Sequence, residues 1–141
     1  MIDILPGVKS TASALNAERL RMEIVGQNIA HANTARGADG KPYQAQHVIF
    51  ESVLDQMQLD GAAPQSVVVS RVEKSLLPPR LVYEPGHPDA NAEGMVAMPN
   101  INIHEQMVDL IAASRAFEAN LAVLKNARNL AAEALAIGKR S

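Results

Sequence analysis

Residues 103–135 read IHEQMVDLIAASRAFEANLAVLKNARNLAAEAL, and the spacing inside this stretch decides the fold. Ile103, Met107, Leu110, Ser114, Phe117, Leu121, Leu124, Arg128, Ala131 and Leu135 follow one another at steps of four and three. A helical turn holds 3.6 residues, so such steps return to one side of a helix. Only Ser114 and Arg128 interrupt the seam with polar side chains. Small Ser114 suits close packing, and Arg128 either sets a register or lays its methylenes over the seam. A seam this regular is a surface for packing against another helix, in the same chain or in a neighbour.

The bounds of this helix are legible too. Asn102 is followed three residues later by Glu105, the spacing of a capping box, and Gly138 stands where a terminator is expected. About 35 residues at 1.5 Å each predict a helix near 50 Å long. Val123, Leu130 and Ile137 widen the apolar stripe on one flank, which one partner helix would leave wet.

A second helix is predicted from about Gly7 to about Ala32. Val8, Leu15, Met22 and Ile29 recur every seven residues, with Ala12 and Val25 in the same stripe. Leu20 and Ile24 fall on roughly the opposite side, so this helix is expected to make contacts on two faces. Asn33, Gly37 and Gly40 then supply stop and turn signals. Asn28, Asn33 and Thr34 stand at this exit. They either cap the helix or fix the chain's path into an assembly contact.

Between the helices, Gln46 to Phe50, Gln65 to Val72 and Arg80 to Tyr83 read as strands, and Glu84 to Asp89 as dense turn chemistry. The fold class that follows is mainly α. Two long N- and C-terminal helices form an antiparallel coiled-coil hairpin, with a small β/loop insert between them. The expected division is an N-terminal helix at 1–34, the insert at 35–101 and a C-terminal helix at 102–141.

Composition bounds the rest. The 141 residues make about one domain. With two Tyr, two Phe and no Trp, the core must be thin and built from aliphatic residues and alanine. A net charge of −2 without a basic tract argues against nucleic-acid binding. No cysteine means no disulfide and no thiolate chemistry. Met1 to Leu5 lacks the pattern of a cleaved secretion signal, and no run reaches the roughly 18–20 apolar residues that membrane insertion needs.

Nothing in the chain assembles into a catalytic constellation. His87, Asp89 and the His104-Glu105 pair share no zinc-binding spacing, and a catalytic metal normally takes three convergent protein ligands. There is no Gly-x-Ser-x-Gly elbow, P-loop or dinucleotide fingerprint. The chain is therefore read as no enzyme, with no cofactor and no metal.

Residues 14–34, ALNAERLRMEIVGQNIAHANT, resemble the N-terminal signature of the bacterial flagellar rod and hook proteins, and 102–120, NIHEQMVDLIAASRAFEAN, resemble their C-terminal signature. In the middle, 79–90, PRLVYEPGHPDA, and 94–100, GMVAMPN, are similar to the proximal members of the flagellar basal-body rod family. Distal rod and hook relatives carry larger inserts, for which this chain has no room. His31 stands where that family usually has asparagine, and Phe117 where tyrosine is common. The resemblance implies a structural subunit of the periplasmic rod, the shaft that transmits torque from motor to hook. It implies export by the flagellar type III apparatus without a cleaved signal. The implied partners are copies of the chain, other proximal and distal rod proteins and the MS-ring/rod adaptor region. The assembly interface expected on this basis comprises Val8, Leu15, Met22, Val25, Asn28, Ile29 and Asn33 on the first helix. On the second it comprises Met107, Leu110, Phe117, Leu121 and Leu124. The alternative is a soluble helical adaptor that binds a single partner helix and does not polymerise.

Overall fold

In a computed structural model, residues 5–54 and 65–138 are described. Of the expected segments, 1–4, 55–64 and 139–141 lie outside the described residues. In chain order the elements are α1 (Leu5–Ala30), β1 (Gln46–Leu54), β2 (Gln65–Lys74), β3 (Arg80–Tyr83), β4 (Met95–Met98) and α2 (Ile103–Gly138). Two helices with small hairpins between them make the fold mainly α.

α1 starts with Pro6 in its first turn, where a missing N–H breaks no helical hydrogen bond. From Lys9 onward its exposed residues, Lys9, Asn16, Arg19, Glu23, Gln27 and Ala30, form a single stripe. Ala17, Ile24, Val25 and Asn28 are buried. The remaining faces pack against α2 and against both β1 and β2, which is the two-sided demand set by Ile24 and Leu20 opposite Met22. Past Ala30 the chain unwinds through a turn in which Thr34 N–H donates to the His31 carbonyl at 3.0 Å.

α2 opens on Asn102, but not through a capping box. The Asn102 side-chain oxygen accepts from the backbone N–H of His104 at 3.1 Å. It caps the second residue of the helix instead of pairing reciprocally with Glu105. The covered side of α2 also differs from the expected seam. Leu110, Ala113, Phe117, Leu121, Leu124, Ala127 and Ala131 are buried or half-buried, whereas Arg128 is exposed. Met107 and Leu135 are 51% and 69% exposed. A straight helix drifts by about 20° per heptad against a strict seven-residue repeat, so Ala127 replaces Arg128 on the covered side. Length does the rest. α2 has 36 residues and α1 has 26, leaving about 15 Å of α2 without an equal length of partner.

The first hairpin pairs β1 and β2 antiparallel, from Gln46↔Lys74 to Leu54↔Gln65. Ile49 faces Arg71 and Phe50 faces Val69, which leaves Ser70 as the extra residue of a β-bulge. The second hairpin pairs β3 with β4, from Arg80↔Met98 to Tyr83↔Met95. β4 was not expected, because Met-Val-Ala-Met has weak strand propensity. Its formation follows from the loop that precedes it. Glu84 N–H donates to the Gly94 carbonyl at 2.9 Å, and Asn91 Oδ1 accepts from the N–H groups of Glu93 and Met95 at 3.0 and 2.9 Å. Gly94 closes this loop with a φ of 74°.

Among the described residues the buried apolar side chains are Ala17, Ile24, Val25, Ala32, Ala45, Val96, Pro99 and Ala113. Four are alanines, so the interior is as thin as the composition requires. Non-directional packing of this kind fixes position weakly.

A Cβ on Gly94 would meet Tyr83 Cε2 at 3.0 Å and Pro85 Cβ at 3.1 Å. Together with the left-handed backbone, Gly94→Ala is expected to destabilise the second hairpin by about 1–2 kcal/mol. Amide exchange at Glu84 and Val96 measures this, and an unchanged rate would refute the role given to Gly94.

Candidate assembly interface

Asn28 lies in the last two turns of α1 with no exposure to solvent. A buried amide has two donors and two acceptor sites to satisfy. All four are used. Its Nδ2 donates to the Gln46 carbonyl and to Gln106 Oε1, both at 2.8 Å. Its Oδ1 accepts from Gln46 N–H at 2.9 Å and from the Tyr43 hydroxyl at 3.1 Å. The amide thus pairs with both main-chain groups of Gln46, as a neighbouring strand would. One side chain ties α1, the start of β1, the segment after α1 and α2.

Tyr43 completes the node. Burial pushes its hydroxyl pKa above the ordinary value, because a phenolate would be poorly solvated there. The hydroxyl stays protonated at neutral pH and serves as a donor. The His31 ring stacks on Tyr43, with centroids 4.8 Å apart and planes at 27°. His31 Nδ1 lies 3.2 Å from Thr34 Oγ1, and Tyr43 N–H donates to the Thr34 carbonyl at 3.3 Å. The His31 imidazole therefore supplies a stacking surface.

Beside the node, Arg21 of α1 forms a salt bridge with Asp109 of α2. Glu18 Oε2 sits 3.8 Å from the same guanidinium. Both Arg21 and Asp109 are about a third exposed, so this pair adds orientation and about 0–1 kcal/mol. A groove lined by Ile24, Val25, Val48 and Phe50 opens where α1, β1 and α2 meet.

The residues named from the sequence occupy different environments. Val25 and Asn28 are buried, and Val8, Leu15, Met22, Ile29, Leu110, Phe117, Leu121 and Leu124 are half-buried. Asn33 and Met107 are exposed. Another apolar set faces outward on α2. Val108 and Ile111 are 68% and 55% exposed, and Val123, Leu130 and Ile137 are 54%, 61% and 71% exposed. Tyr43, Gln46 and Gln106 escape sequence reasoning. Each is a polar residue whose role depends on a contact distant in sequence, and no periodic pattern marks it.

A second polar cluster joins the turn after β3 to the segment after α1. Arg36 reaches Asp89 at 3.2 Å, and Asp89 N–H donates to His87 Nδ1 at 3.1 Å. Among the described residues, no group of three or more His, Cys, Asp or Glu side chains gathers. No described helix is long and apolar enough to cross a membrane.

With this geometry in view, comparison with known proteins is informative. The family described as flagellar basal body rod FlgEFG protein C-terminal matches residues 92–137, which covers β4 and nearly all of α2. Over almost its whole length the chain is similar to proteins named flagellar basal-body rod protein FlgC. The relative from Borreliella burgdorferi is 36% identical, over 95% of this chain and 97% of its own length. One from Escherichia coli is 39% identical over 90% and 92% of the two chains. Another from Bacillus subtilis is 38% identical over 92% and 94%. None of these names describes a catalytic activity.

Replacing Asn28 by leucine strands the Gln46 main-chain groups and the Gln106 amide in a buried site, at about 1–3 kcal/mol for each group left unsatisfied. Tyr43→Phe removes one hydrogen bond and is expected to cost about 1 kcal/mol. Urea unfolding of the purified chain should therefore rank Asn28→Leu well below Tyr43→Phe. Equal stabilities would remove Asn28 from its central role.

Proposed function

The chain belongs to the FlgC family of flagellar basal-body rod proteins, and from that premise we propose how its helices build a shaft. As a family member it is a structural subunit of the bacterial flagellar basal-body rod and serves motility. Its two terminal helices act as an antiparallel coiled-coil hairpin. The order of their contacts supports this pairing: Arg21 meets Asp109, whereas Asn28, further along α1, meets Gln106, which is earlier in α2. In the proposed division, 1–34 and 102–141 form the rod core and 35–101 is the insert. The chain contributes stiffness and contacts, and carries out no catalysis.

The observation that carries the assembly reading is the outward stripe of Val123, Leu130 and Ile137 at seven-residue spacing. Within the subunit α1 serves both α2 and the first hairpin, so the covering of this stripe falls to neighbours. A subunit with a satisfied inner face and an apolar outer one suits lengthwise stacking, where a heterologous contact repeats into a helical filament. The packing interface proposed for the rod core, within a subunit and between neighbours, includes Val8, Leu15, Met22, Val25, Asn28, Ile29 and Asn33 on α1. On α2 it includes Met107, Leu110, Phe117, Leu121 and Leu124. Asn33 and Met107, both exposed, are contacts with neighbours in this scheme. Partners are copies of the chain, other proximal and distal rod proteins and the MS-ring/rod adaptor region. Delivery through the flagellar type III export apparatus, without a cleaved signal, completes the reading.

Two variants of α2, one single and one double, separate folding from assembly. Leu121→Asp places an unpaired charge on the half-buried side, at a cost of several kcal/mol, and is expected to abolish both helix packing and swimming. Val123→Asp combined with Leu130→Asp alters only the exposed stripe. That variant should keep the helicity of the purified chain by circular dichroism yet leave cells non-motile and the chain absent from isolated basal bodies. Normal swimming by either variant would count against the proposed shaft, and the double variant bears directly on the outer stripe.

A further inference from the structure

The outer stripe of α2 extends further than Val123, Leu130 and Ile137. Ala112, Arg115 and Ala119 lead into it at steps of three and four, and Asn126 and Glu133 fill its gaps. At about 100° per residue, all eight fall within about 80° of one another around the helix. All eight are exposed, whereas Ala113, Phe117, Leu121 and Leu124, on roughly the opposite side, are buried or half-buried. α2 therefore carries a second helix-packing seam, turned away from its own subunit.

The residue types along this seam complement their own reverse. Let α2 lie antiparallel on a second copy, about a two-fold axis near Leu124. Ala112 then comes level with the partner's Ile137, and Arg115 with the partner's Glu133. Ala119 meets the partner's Leu130, and Val123 the partner's Asn126, each to within one residue or about 1.5 Å. Bulky Leu130 and Ile137 each meet an alanine, and the one cation of the seam meets its one anion. Neither Arg115 nor Glu133 has an ion-pair partner among the described residues. Parallel pairing in register sets like charge on like charge and alanine on alanine, so both repulsion and poor packing disfavour it. The two copies of Asn126 stand about 4.5 Å apart in height beside the axis, a polar pair of the kind that fixes register in coiled coils. At each outer end, Val108 and Ala112 open onto a groove lined also by His47 and Gln106, with room for the partner's Ile137.

We propose that the chain, outside a rod, pairs with a second copy of itself through this seam as a closed antiparallel dimer. The inference rests on the reading of the outer stripe as a rod contact and adds how that contact is regulated. An isologous pair closes on itself and cannot extend. While the pair holds, the stripe is withheld from lengthwise stacking, and opening it frees both copies to assemble.

Sedimentation of the purified full chain over a concentration series should show monomer and dimer in equilibrium and nothing larger. Arg115→Glu and Glu133→Arg each set like charges together twice in the pair and should weaken dimerisation more than about tenfold. Combining the two reverses the ion pair and should restore the dimer, which separates lost complementarity from lost folding. The chain has no cysteine, so Ala119→Cys and Leu130→Cys report polarity. Mixed and oxidised, these two variants should cross-link to one another and not each to itself. A natural chain that stays monomeric, an unweakened single reversal, a failed restoration, like-to-like cross-links or growth beyond a dimer would each overturn the proposal. A monomeric natural chain that still enters basal bodies removes the dimer and leaves the shaft. A dimeric natural chain whose Val123→Asp, Leu130→Asp variant swims normally removes the shaft and leaves the dimer.

Discussion

A buried amide with four simultaneous hydrogen bonds is the constraint on which the rest of this structure depends. The alanine-rich interior attracts without direction, and sliding one helix along the other changes its burial little. Asn28 removes that freedom. Its bonds to Gln46, Tyr43 and Gln106 are all met at one relative placement of α1, β1 and α2. Any other placement leaves polar groups buried and unpaired, so the node specifies register where packing cannot.

From that anchor the order of the fold follows. α1 is the common partner of α2 and the first hairpin, and Gln46, the first residue of β1, is the residue that Asn28 holds by both main-chain groups. The second hairpin is tied to the segment after α1 through Arg36 and Asp89, and its own two ends are joined by Asn100 Nδ2, which donates to the Pro78 carbonyl at 3.3 Å. Family membership gives this hierarchy a purpose. The proposed shaft calls for a rigid pair of helices, with contact surfaces left over for neighbours.

Much of this was legible in the sequence because helix periodicity is a local property. The two helices, their approximate ends, the two-sided character of α1 and the strand at Arg80 to Tyr83 all came from spacing within short windows. Small errors had physical causes. A strict heptad places Arg128 on the α2 seam, and helical drift brings Ala127 inward in its place. β4 was missed because a loop geometry around Gly94, and not strand propensity, brings Met95 to Met98 beside β3. Of the Asn28 node only Asn28 itself was singled out, as a cap or an exit contact. Tyr43, Gln46 and Gln106 come together with it only after the chain has folded, which no window of sequence displays.

One detail of the first hairpin bears on behaviour in a crowd. β2 contains Val67, Val68 and Val69 in succession, the kind of segment that templates amyloid-like stacking when a strand edge is free. Immediately after it come the bulged Ser70 and the charged residues Arg71, Glu73 and Lys74. A bulge spoils the flat edge, and charges disfavour a second strand beside it. On the proposed reading, in which copies join by helix stacking, the bulge and its flanking charges act as gatekeepers against joining by β-sheet growth.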